Sequence, residues 1–306
     1  MIDLKNNEHK TNPMVTIGLP VYNGQQYIRE ALSSLVAQTF KDLEIIISDN
    51  DSTDATGEIC REYEKKDNRI RYIRQNYNIG PTANFKLVLD NAEGRYFLWM
   101  AADDVLDERF VELLVQKLEE YPSIVCMMSD VINIDESGRV LSTSELDRIR
   151  INDICATQSS LQYVFFTNPA SNIFFCIYGI FRTEAIRKCE LNFKNQVKYA
   201  SGSEIPFLAQ ACLLGKIASL PIPLKKYRRH SQSVFHKEGI AQNFIKQISS
   251  KTNVSIVMIS IIRSSNLELV QKSSLICVTL LVFIKFMIFS AKILFENFLR
   301  SVSAKR

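Results

Sequence analysis

The 306-residue sequence lacks the features that mark several large protein classes. Its seven cysteines are scattered without a CxxC pair, which predicts free thiols in a reducing compartment rather than a disulfide framework or a zinc site. The net charge is only +4, which argues against nucleic acid as a partner. Residues 1–13 are polar and lack the apolar core of a signal peptide, so we expect a flexible N-terminal segment and a cytoplasmic catalytic part.

Two further absences narrow the choice of enzyme. No GxGxxG motif follows the first predicted strand, which excludes the dinucleotide-binding fingerprint of an oxidoreductase. The loop after that strand, residues 23–26, carries no lysine or arginine. A nucleotidyltransferase usually has a basic, Gly-rich loop there, so this class stays open only as an alternative.

Strands and helices alternate through the first half of the chain. Strands are predicted at 15–20, 43–48, 70–73 and 96–102. Helices are predicted at 27–38 and 82–92, and a further helix starts after the cap residues 51–54 and runs to about residue 65. This alternation predicts an α/β fold with a mostly parallel central sheet and helices on both faces. Farther on, strands are predicted at 124–129 and 217–220, and helices at 108–120, 180–188 and 204–214.

Polar residues cluster where each of the first four predicted strands ends. The clusters are 20–23, 49–54, 76–80 and 102–104. The carboxyl ends of parallel strands lie on one edge of a sheet, so these clusters predict one ligand-binding crevice.

Each cluster offers a chemical role. The ring of Tyr22 can pack on a base, and Asp49 can accept a hydrogen bond from the ring N–H of uracil. Gly80 lets the backbone approach a ligand closely. The 51–54 group is also explained as a helix start, and for Asp54 we prefer that interpretation.

Asp103 and Asp104 follow an apolar run that reads as a buried strand. Two adjacent carboxylates repel each other unless a cation or hydrogen-bond donors hold them. The usual cations for such oxygen ligands are Mg²⁺ and Mn²⁺, which often accompany a diphosphate. The alternative is a cap on the helix that starts near Asp107.

Together these motifs resemble family 2 glycosyltransferases of the GT-A type, closely over 14–125 and loosely to about 235. The motifs are Pro20-x-Tyr22-Asn23, Asp49 to Asp54 followed by Thr56, Asn78-x-Gly80, and Gly94-Arg95-Tyr96 leading to Asp103-Asp104. The resemblance implies a GT-A-like fold and sugar transfer from a nucleotide-activated donor with inversion at the anomeric carbon. One departure is Ala101, because many members have an aspartate there.

The resemblance also implies roles for individual residues. Asp49 corresponds to the base-binding aspartate, and Asp103 and Asp104 correspond to the ribose and metal end of the signature. The expected donor-binding residues are Pro20, Tyr22, Asn23, Asp49, Asp51, Asn78, Gly80, Ala102, Asp103 and Arg228, and the expected metal ligands are Asp104 and His230.

The remaining candidates lie downstream. Glu204 opens a predicted helix and is the candidate base that takes the acceptor proton, although an acidic residue there also simply favours the helix dipole. Arg228 can meet the diphosphate through paired N–H groups. His230 can be a metal ligand through a neutral ring nitrogen and so compensate for Ala101, although a lone histidine is more often a surface residue.

The C-terminal part, 236–306, is predicted to be a helical, apolar appendage. Its run from Leu275 to Ala291 is at the short edge of what spans a bilayer, and Lys285 lies near its middle. We therefore expect it to lie on the cytoplasmic face of the membrane. An oligomer interface or packing on the catalytic domain is nearly as well supported.

The sequence thus predicts three regions: a flexible segment at 1–13, a catalytic domain at 14–235 and the helical appendage at 236–306. The catalytic domain has a nucleotide-binding half at 14–125 and an acceptor half at 126–235. The predicted function is a metal-dependent, inverting glycosyltransferase with a uridine-linked donor and a glycan or lipid-linked acceptor, acting in bacterial surface polysaccharide or lipid-linked glycan assembly. A non-catalytic family member that scaffolds a membrane complex is the alternative that Ala101 and Glu204 leave open.

Overall fold

The computed structural model describes residues 12–146, 149, 151, 172–191, 204–230 and most of 259–280, namely all but 266–267, 270–271, 274 and 278. The described residues divide into two compact units. The first unit contains residues 12–116 and 180–187, and the second contains the described residues of 117–179 and those from 188 on. The sequence suggested a continuous nucleotide-binding half at 14–125. The first unit differs from it because the unit ends at residue 116 and also includes the later segment 180–187.

The regular elements are named here in chain order. The strands are β1 (Val15–Val21), β2 (Leu43–Asp49), β3 (Ile70–Arg74), β4 (Tyr96–Trp99), β5 (Val105–Leu106), β6 (Ile124–Ile134), β7 (Val140–Ser144), β8 (Ile180–Arg182) and β9 (Lys216–Arg228). The helices are α1 (Ile28–Val36), α2 (Thr56–Lys66), α3 (Pro81–Asp90), α4 (Phe110–Glu120), α5 (Thr183–Ile186) and α6 (Glu204–Leu214), with a 3-10 helix at Asn172–Tyr178.

The first unit contains strands in the order β3-β2-β1-β4-β8. The first four are parallel, which confirms the predicted α/β fold, and β8 is antiparallel to β4. The prediction of a helix over all of 180–188 was wrong at its start, because Ile180 to Arg182 pair with β4 before the single turn of α5. Pro20 does not end β1, which continues to Val21.

Aromatic side chains fill the core beside β4. Phe97 and Trp99 are two residues apart and therefore share one face of the strand, where their rings meet edge to face with centroids 4.7 Å apart. Phe181 of β8 packs edge-on against Trp99 at 6.0 Å. The indole N–H of Trp99 donates to the carbonyl oxygen of Phe85 in α3 at 3.0 Å, so the one polar atom of this side chain is satisfied.

Gly94 brings the chain into β4 through a tight approach to β1. A Cβ atom at this position would lie 2.5 Å from the backbone nitrogen of Thr16. The N–H of Gly94 donates to the hydroxyl of Thr16 at 2.8 Å, and its carbonyl accepts from the hydroxyl of Thr183 at 2.7 Å. The glycine of the Gly94-Arg95-Tyr96 motif is therefore required by packing at the amino-terminal edge of the sheet.

The second unit is built on β6, which pairs antiparallel with β7 and parallel with β9. β9 is much longer than the strand predicted at 217–220. Its register with β6 shifts around Asp130, and these irregularities accommodate Pro221 and Pro223, whose nitrogens cannot donate to a ladder. Burial raises the pKa of the Cys176 thiol in this unit to about 12.

Within the described ranges, no helix is both long and apolar enough to cross a bilayer. The predictions for 1–11 and for most of 236–306, including Lys285, fall outside these ranges. Of the apolar run that begins at Leu275, only residues 275–277 and 279–280 are described, so the choice among membrane surface, interface and packed helix stays a prediction.

Candidate active site

The carboxyl ends of three strands lie side by side in the first unit. Val21 pairs with Asp49, and Asp49 pairs with Arg74, so the last residues of β1, β2 and β3 form one row. The loops that leave β2 and β3 lead into α2 and α3. Open α/β sheets bind ligands at this edge, and most of the predicted donor-binding residues lie in or next to this row.

Asp49 is the centre of the site and is fully buried, with 0% exposure. Its Oδ1 accepts from the backbone N–H of Ser52 at 2.9 Å. Its Oδ2 accepts from the hydroxyl of Tyr72 at 2.6 Å and from Nη1 of Arg74 at 3.1 Å. Partial burial and the bond to Asp49 raise the pKa of Tyr72 to about 12, so this hydroxyl stays a donor.

Arg74 connects the ends of β2 and β3. Its Nη2 donates to the carboxylate of Asp51 at 3.0 Å and to the carbonyl oxygen of Ser52 at 2.8 Å. Asp51 adopts a left-handed backbone conformation with φ of 64°, which is rare for a residue with a side chain. Because the Arg74 side chain is 37% exposed and that of Asp49 is not, the arginine is the accessible member of this pair.

Helix α2 packs against this cluster through Gly57. A Cβ atom at Gly57 would lie 2.9 Å from the hydroxyl of Tyr72, 3.2 Å from Nη1 of Arg74 and 3.3 Å from Oδ2 of Asp49. The absence of a side chain at this position therefore allows the two donors and the carboxylate to meet under the helix.

The loops after β1 and β2 are tied together by hydrogen bonds. The N–H of Asn23 donates to the hydroxyl of Ser52 at 2.9 Å, and the N–H of Thr53 donates back to Oδ1 of Asn23 at 2.8 Å. The N–H of Gly24 donates to the hydroxyl of Thr56 at 2.8 Å. Asn23, with φ of 51°, is the second left-handed non-glycine residue here.

Gln25 and Asp54 extend this connection reciprocally. The N–H of Gln25 donates to Oδ2 of Asp54 at 3.2 Å, and the N–H of Ala55 donates to Oε1 of Gln25 at 3.0 Å. Oδ1 of Asp54 accepts from both the N–H and the hydroxyl of Thr56. Asp54 therefore supports the start of α2, as we preferred from the sequence, and also holds the neighbouring loop.

The turn that leads into α3 is anchored to the end of β2. Nδ2 of Asn50 donates to Oδ1 of Asn78 at 3.0 Å, and the N–H of Ile79 donates to Oδ1 of Asn50 at 2.8 Å. Gly80 has φ of 84°, a conformation that favours glycine, and Pro81 follows as the first helical residue. Asn84 in the first turn of α3 is buried, and its side-chain amide donates to the carbonyl oxygen of Ser48 at 3.0 Å.

Pro20 and Tyr22 stand at the end of β1 in different environments. Pro20 is buried within the strand, whereas Tyr22 is 51% exposed. Tyr22 is therefore free to present its ring to a ligand, and Pro20 contributes to the shape of the strand end.

The two aspartates after β4 differ in accessibility. Asp104 is 0% exposed, whereas Asp103 and Ala102 are half-buried in the turn. The assignment of Asp104 as the metal ligand assumed that its carboxylate faces the crevice, and its burial makes Asp103 the more accessible carboxylate. No group of three His, Cys, Asp or Glu side chains that could hold a metal occurs among the described residues. One or two carboxylates suffice for a cation that also binds a diphosphate, so Asp103 fits such an ion.

Three predicted site residues belong to the second unit. Arg228 is 2% exposed, and its Nη1 lies 3.3 Å from the carbonyl oxygens of Asp135 and Glu136 in the β6–β7 turn. These contacts hold the guanidinium of Arg228 against a turn of its own unit, and its contact with the diphosphate stays a prediction. His230 is half-buried just after β9. Glu204 is the first residue of α6, but its side chain lies outside the described part of the chain.

Sequence reasoning did not select Tyr72, Arg74 or Asn84. Tyr72 and Arg74 are two residues apart on β3, so their side chains share a face of the strand. Arg74 is also in register with Asp49. The two-residue spacing of Tyr72 and Arg74 could have indicated this pair from the sequence. Nothing in the sequence indicates the contact of Asn84 with Ser48.

The model of the family described as "Glycosyl transferase family 2" matches residues 16–187. This chain belongs to glycosyl transferase family 2. It is 33% identical over 236 residues to an uncharacterized glycosyltransferase of Haemophilus influenzae, which covers 74% of this chain and 69% of the relative. It is also 38% identical over 109 residues, 35% of each chain, to the Campylobacter jejuni GalNAc(5)-diNAcBac-PP-undecaprenol beta-1,3-glucosyltransferase. The enzyme class predicted from the sequence, a glycosyltransferase, is thereby confirmed.

Two solved structures share the fold of this family 2 chain. S. aureus TarS 1-349 in complex with UDP-GlcNAc superposes with a TM-score of 0.65 at 19% identity, over 89% of this chain and 73% of that chain. The mannosyltransferase PcManGT of Pyrobaculum calidifontis, in complex with GDP-Man and Mn²⁺, gives 0.55 at 13% identity, over 96% and 81%. These likenesses confirm the GT-A-like fold expected from the sequence.

Replacing Tyr72 with phenylalanine removes one donor from a fully buried carboxylate. We expect the free energy of unfolding to fall by roughly 1–3 kcal/mol, because a hydrogen bond to a charged group is lost where water cannot replace it. Urea denaturation measures this loss. Tyr63→Phe is the matched control, since its hydroxyl bonds to Ser33 at an exposed site, and it should change stability by about 0.5 kcal/mol or less. Equal losses in both variants would contradict the role of Tyr72.

The pKa of Asp54 is below its ordinary value of 3.8, because hydrogen bonds from Thr56 and Gln25 outweigh the opposite effect of partial burial. The unfolded chain therefore binds this proton more readily, so the stabilisation is present above pH 3.8 and is lost as the pH falls through the lower folded value. We expect wild type to exceed Asp54→Asn in stability near pH 6 and to lose that advantage towards pH 3, as measured by denaturation at each pH.

Asp42→Asn controls for the change in net charge, since Asp42 is exposed and lies at the opposite end of β2. A difference between wild type and Asp54→Asn that stays constant over the pH series would show that the hydrogen bonds to Asp54 do not favour its ionised form.

Proposed function

We propose that this glycosyltransferase moves a sugar from a uridine diphosphate sugar to an acceptor hydroxyl, with inversion at the anomeric carbon. The observation that carries the proposal is Asp49, a carboxylate held in one orientation at the end of β2. Among the described residues its Oδ1 accepts one hydrogen bond, from Ser52, and a carboxylate oxygen can accept a second. The ring N–H of uracil is a donor that suits this atom, and Arg74 has to shift for the base to enter.

The comparisons support a nucleotide-sugar donor without fixing the base. The TarS structure holds UDP-GlcNAc, whereas PcManGT holds GDP-Man. The choice of uridine therefore rests on Asp49, and UDP-GlcNAc is the first donor to test.

The transfer step follows from the family reaction. The acceptor oxygen attacks the anomeric carbon and forms the new C–O bond, while the bond from that carbon to the diphosphate oxygen breaks and UDP leaves with the electron pair. The acceptor proton passes to a carboxylate, for which Glu204 at the start of α6 is the candidate.

A divalent cation, Mg²⁺ or Mn²⁺, would supply neutralisation of the charge on the departing diphosphate. Asp103 is the residue we assign to hold it, because it is the more accessible of the two carboxylates after β4. His230 stays a candidate second ligand.

We further propose that the acceptor is a lipid-linked glycan and that the enzyme works at the inner face of the cell membrane. The support is the name of the Campylobacter jejuni relative, which identifies an undecaprenol-linked substrate. The apolar run that begins at Leu275 would suit such a location, and an oligomer interface is its alternative use.

The reaction is tested by product analysis with a panel of nucleotide sugars, Mn²⁺ and an undecaprenol-linked glycan acceptor. We expect UDP as the released product. Glu204→Gln should lower turnover by roughly 10²–10⁴-fold with little change in UDP affinity, because it removes only the proton acceptor. Glu190→Gln, at an exposed glutamate of the same unit, is the control. Release of pyrophosphate would identify a nucleotidyltransferase instead, and a fully active Glu204→Gln enzyme would remove the proposed base.

The roles of the two aspartates are separated by conservative variants. We expect Asp103→Asn to abolish the gain in UDP affinity that Mn²⁺ gives, as measured by calorimetry, with an unchanged melting temperature. Asp104→Asn should lower the melting temperature, because it alters a buried carboxylate, and should leave a clear Mn²⁺ effect. The reverse pattern would restore Asp104 as the metal ligand.

A further inference from the structure

Two exposed tyrosines lie at the strand-end edge of the first unit, and only one of them, Tyr22, was assigned a ligand-binding role from the sequence. Tyr22 is 51% exposed and Tyr77 is 68% exposed. Tyr77 lies in the connection between β3 and α3, beside the Asn78 turn. A tyrosine ring combines a large apolar face with a polar tip, which suits contact with a planar, polar ligand such as a nucleobase.

The backbone that carries Tyr77 is fixed on both sides. Before it, the N–H of Gln75 donates to the carbonyl oxygen of Asp49 at 2.8 Å. After it, Oδ1 of Asn78 accepts from Nδ2 of Asn50 at 3.0 Å and from the N–H of Gly80 at 2.9 Å. The backbone at Tyr77 is therefore held in a fixed position relative to the end of β2.

The order of the strands places the end of β2, at Asp49, between the two strand ends that lead to Tyr22 and Tyr77. Tyr22 directly follows Val21, Tyr77 comes three residues after Arg74, and Val21, Asp49 and Arg74 form one row across three strands. Two strand spacings separate the outer members of this row by roughly 9.6 Å. A planar base between two rings needs about 7–8 Å between the ring planes, since each contact takes about 3.5–4.0 Å. The spacing of the strand ends therefore leaves room for a base between the connections that carry Tyr22 and Tyr77, with its edge towards Asp49.

We propose that Tyr77 and Tyr22 form an aromatic clamp that holds the donor base between them, with Tyr77 as a positioning residue. This inference rests on the proposed donor. In the clamp, stacking on the rings supplies affinity for any base, because every base has a π face. The hydrogen bond to Asp49 selects uracil. Tyr77 thus contributes to the binding of the nucleoside part and makes no contact with the diphosphate.

The experiment is calorimetry of the full chain in Mn²⁺ with UDP, UMP and inorganic pyrophosphate as separate probes. Loss of one stacking partner corresponds to roughly a tenfold loss of affinity or more. We therefore expect Tyr77→Ala to bind UDP and UMP at least about tenfold more weakly and to bind pyrophosphate as wild type does. Tyr77→Phe should keep the UDP affinity, because the ring remains.

Tyr121→Ala, at another exposed tyrosine, is the matched control and should bind all three probes as wild type does. Unchanged UDP affinity in Tyr77→Ala would overturn the clamp and leave the proposed function standing. If the KM for the acceptor rose while the UDP affinity stayed unchanged, the clamp would be overturned in the same way. An equal loss for pyrophosphate would show a disturbed loop and also overturn the clamp. Failure of wild type to bind UDP would overturn both proposals.

Discussion

The site of this family 2 glycosyltransferase depends on one buried carboxylate. Asp49 has no contact with solvent, so its charge must be compensated by hydrogen-bond donors from the protein. The N–H of Ser52, the hydroxyl of Tyr72 and the guanidinium of Arg74 supply that compensation. These donors come from the β2–α2 loop and from β3, so the charge of a single residue fixes the relative positions of the segments around it. The absent side chain of Gly57 is what lets α2 close over them.

The strands and the polar residues at their ends could be predicted from the sequence, because both leave local signals. Apolar runs such as the one at β4 indicate buried strands, and a parallel sheet collects their carboxyl ends at one edge. The contacts between Asn23 and Ser52 have no such signal, since they join backbone and side-chain atoms 29 residues apart. The spacing of Tyr72 and Arg74 places both side chains on one face of β3, but their meeting with Asp49 follows from the pairing register of β2 and β3, which composition does not reveal.

The second unit shows where local patterns mislead. Arg228, which the sequence suggests for a contact with the diphosphate, is buried and contacts a turn of its own unit, a contact that the sequence does not indicate. The sequence predicted a strand only at 217–220, whereas the irregular register with β6 lets β9 continue past Pro221 and Pro223. In both cases the outcome depends on a neighbouring segment that is distant in sequence. Burial also altered the interpretation of Asp103 and Asp104, two adjacent residues that the sequence alone cannot tell apart.

The reciprocal hydrogen bonds between the loops after β1 and β2 have a consequence for engineering. Each loop donates hydrogen bonds to the other, through the pairs formed by Asn23 and Gln25 with Ser52, Thr53 and Asp54. A segment transplanted from another enzyme into one loop would therefore remove hydrogen bonds that position the other, including the bond to the buried hydroxyl of Ser52. A graft that is meant to change the donor preference should therefore replace the loops after β1 and β2 together.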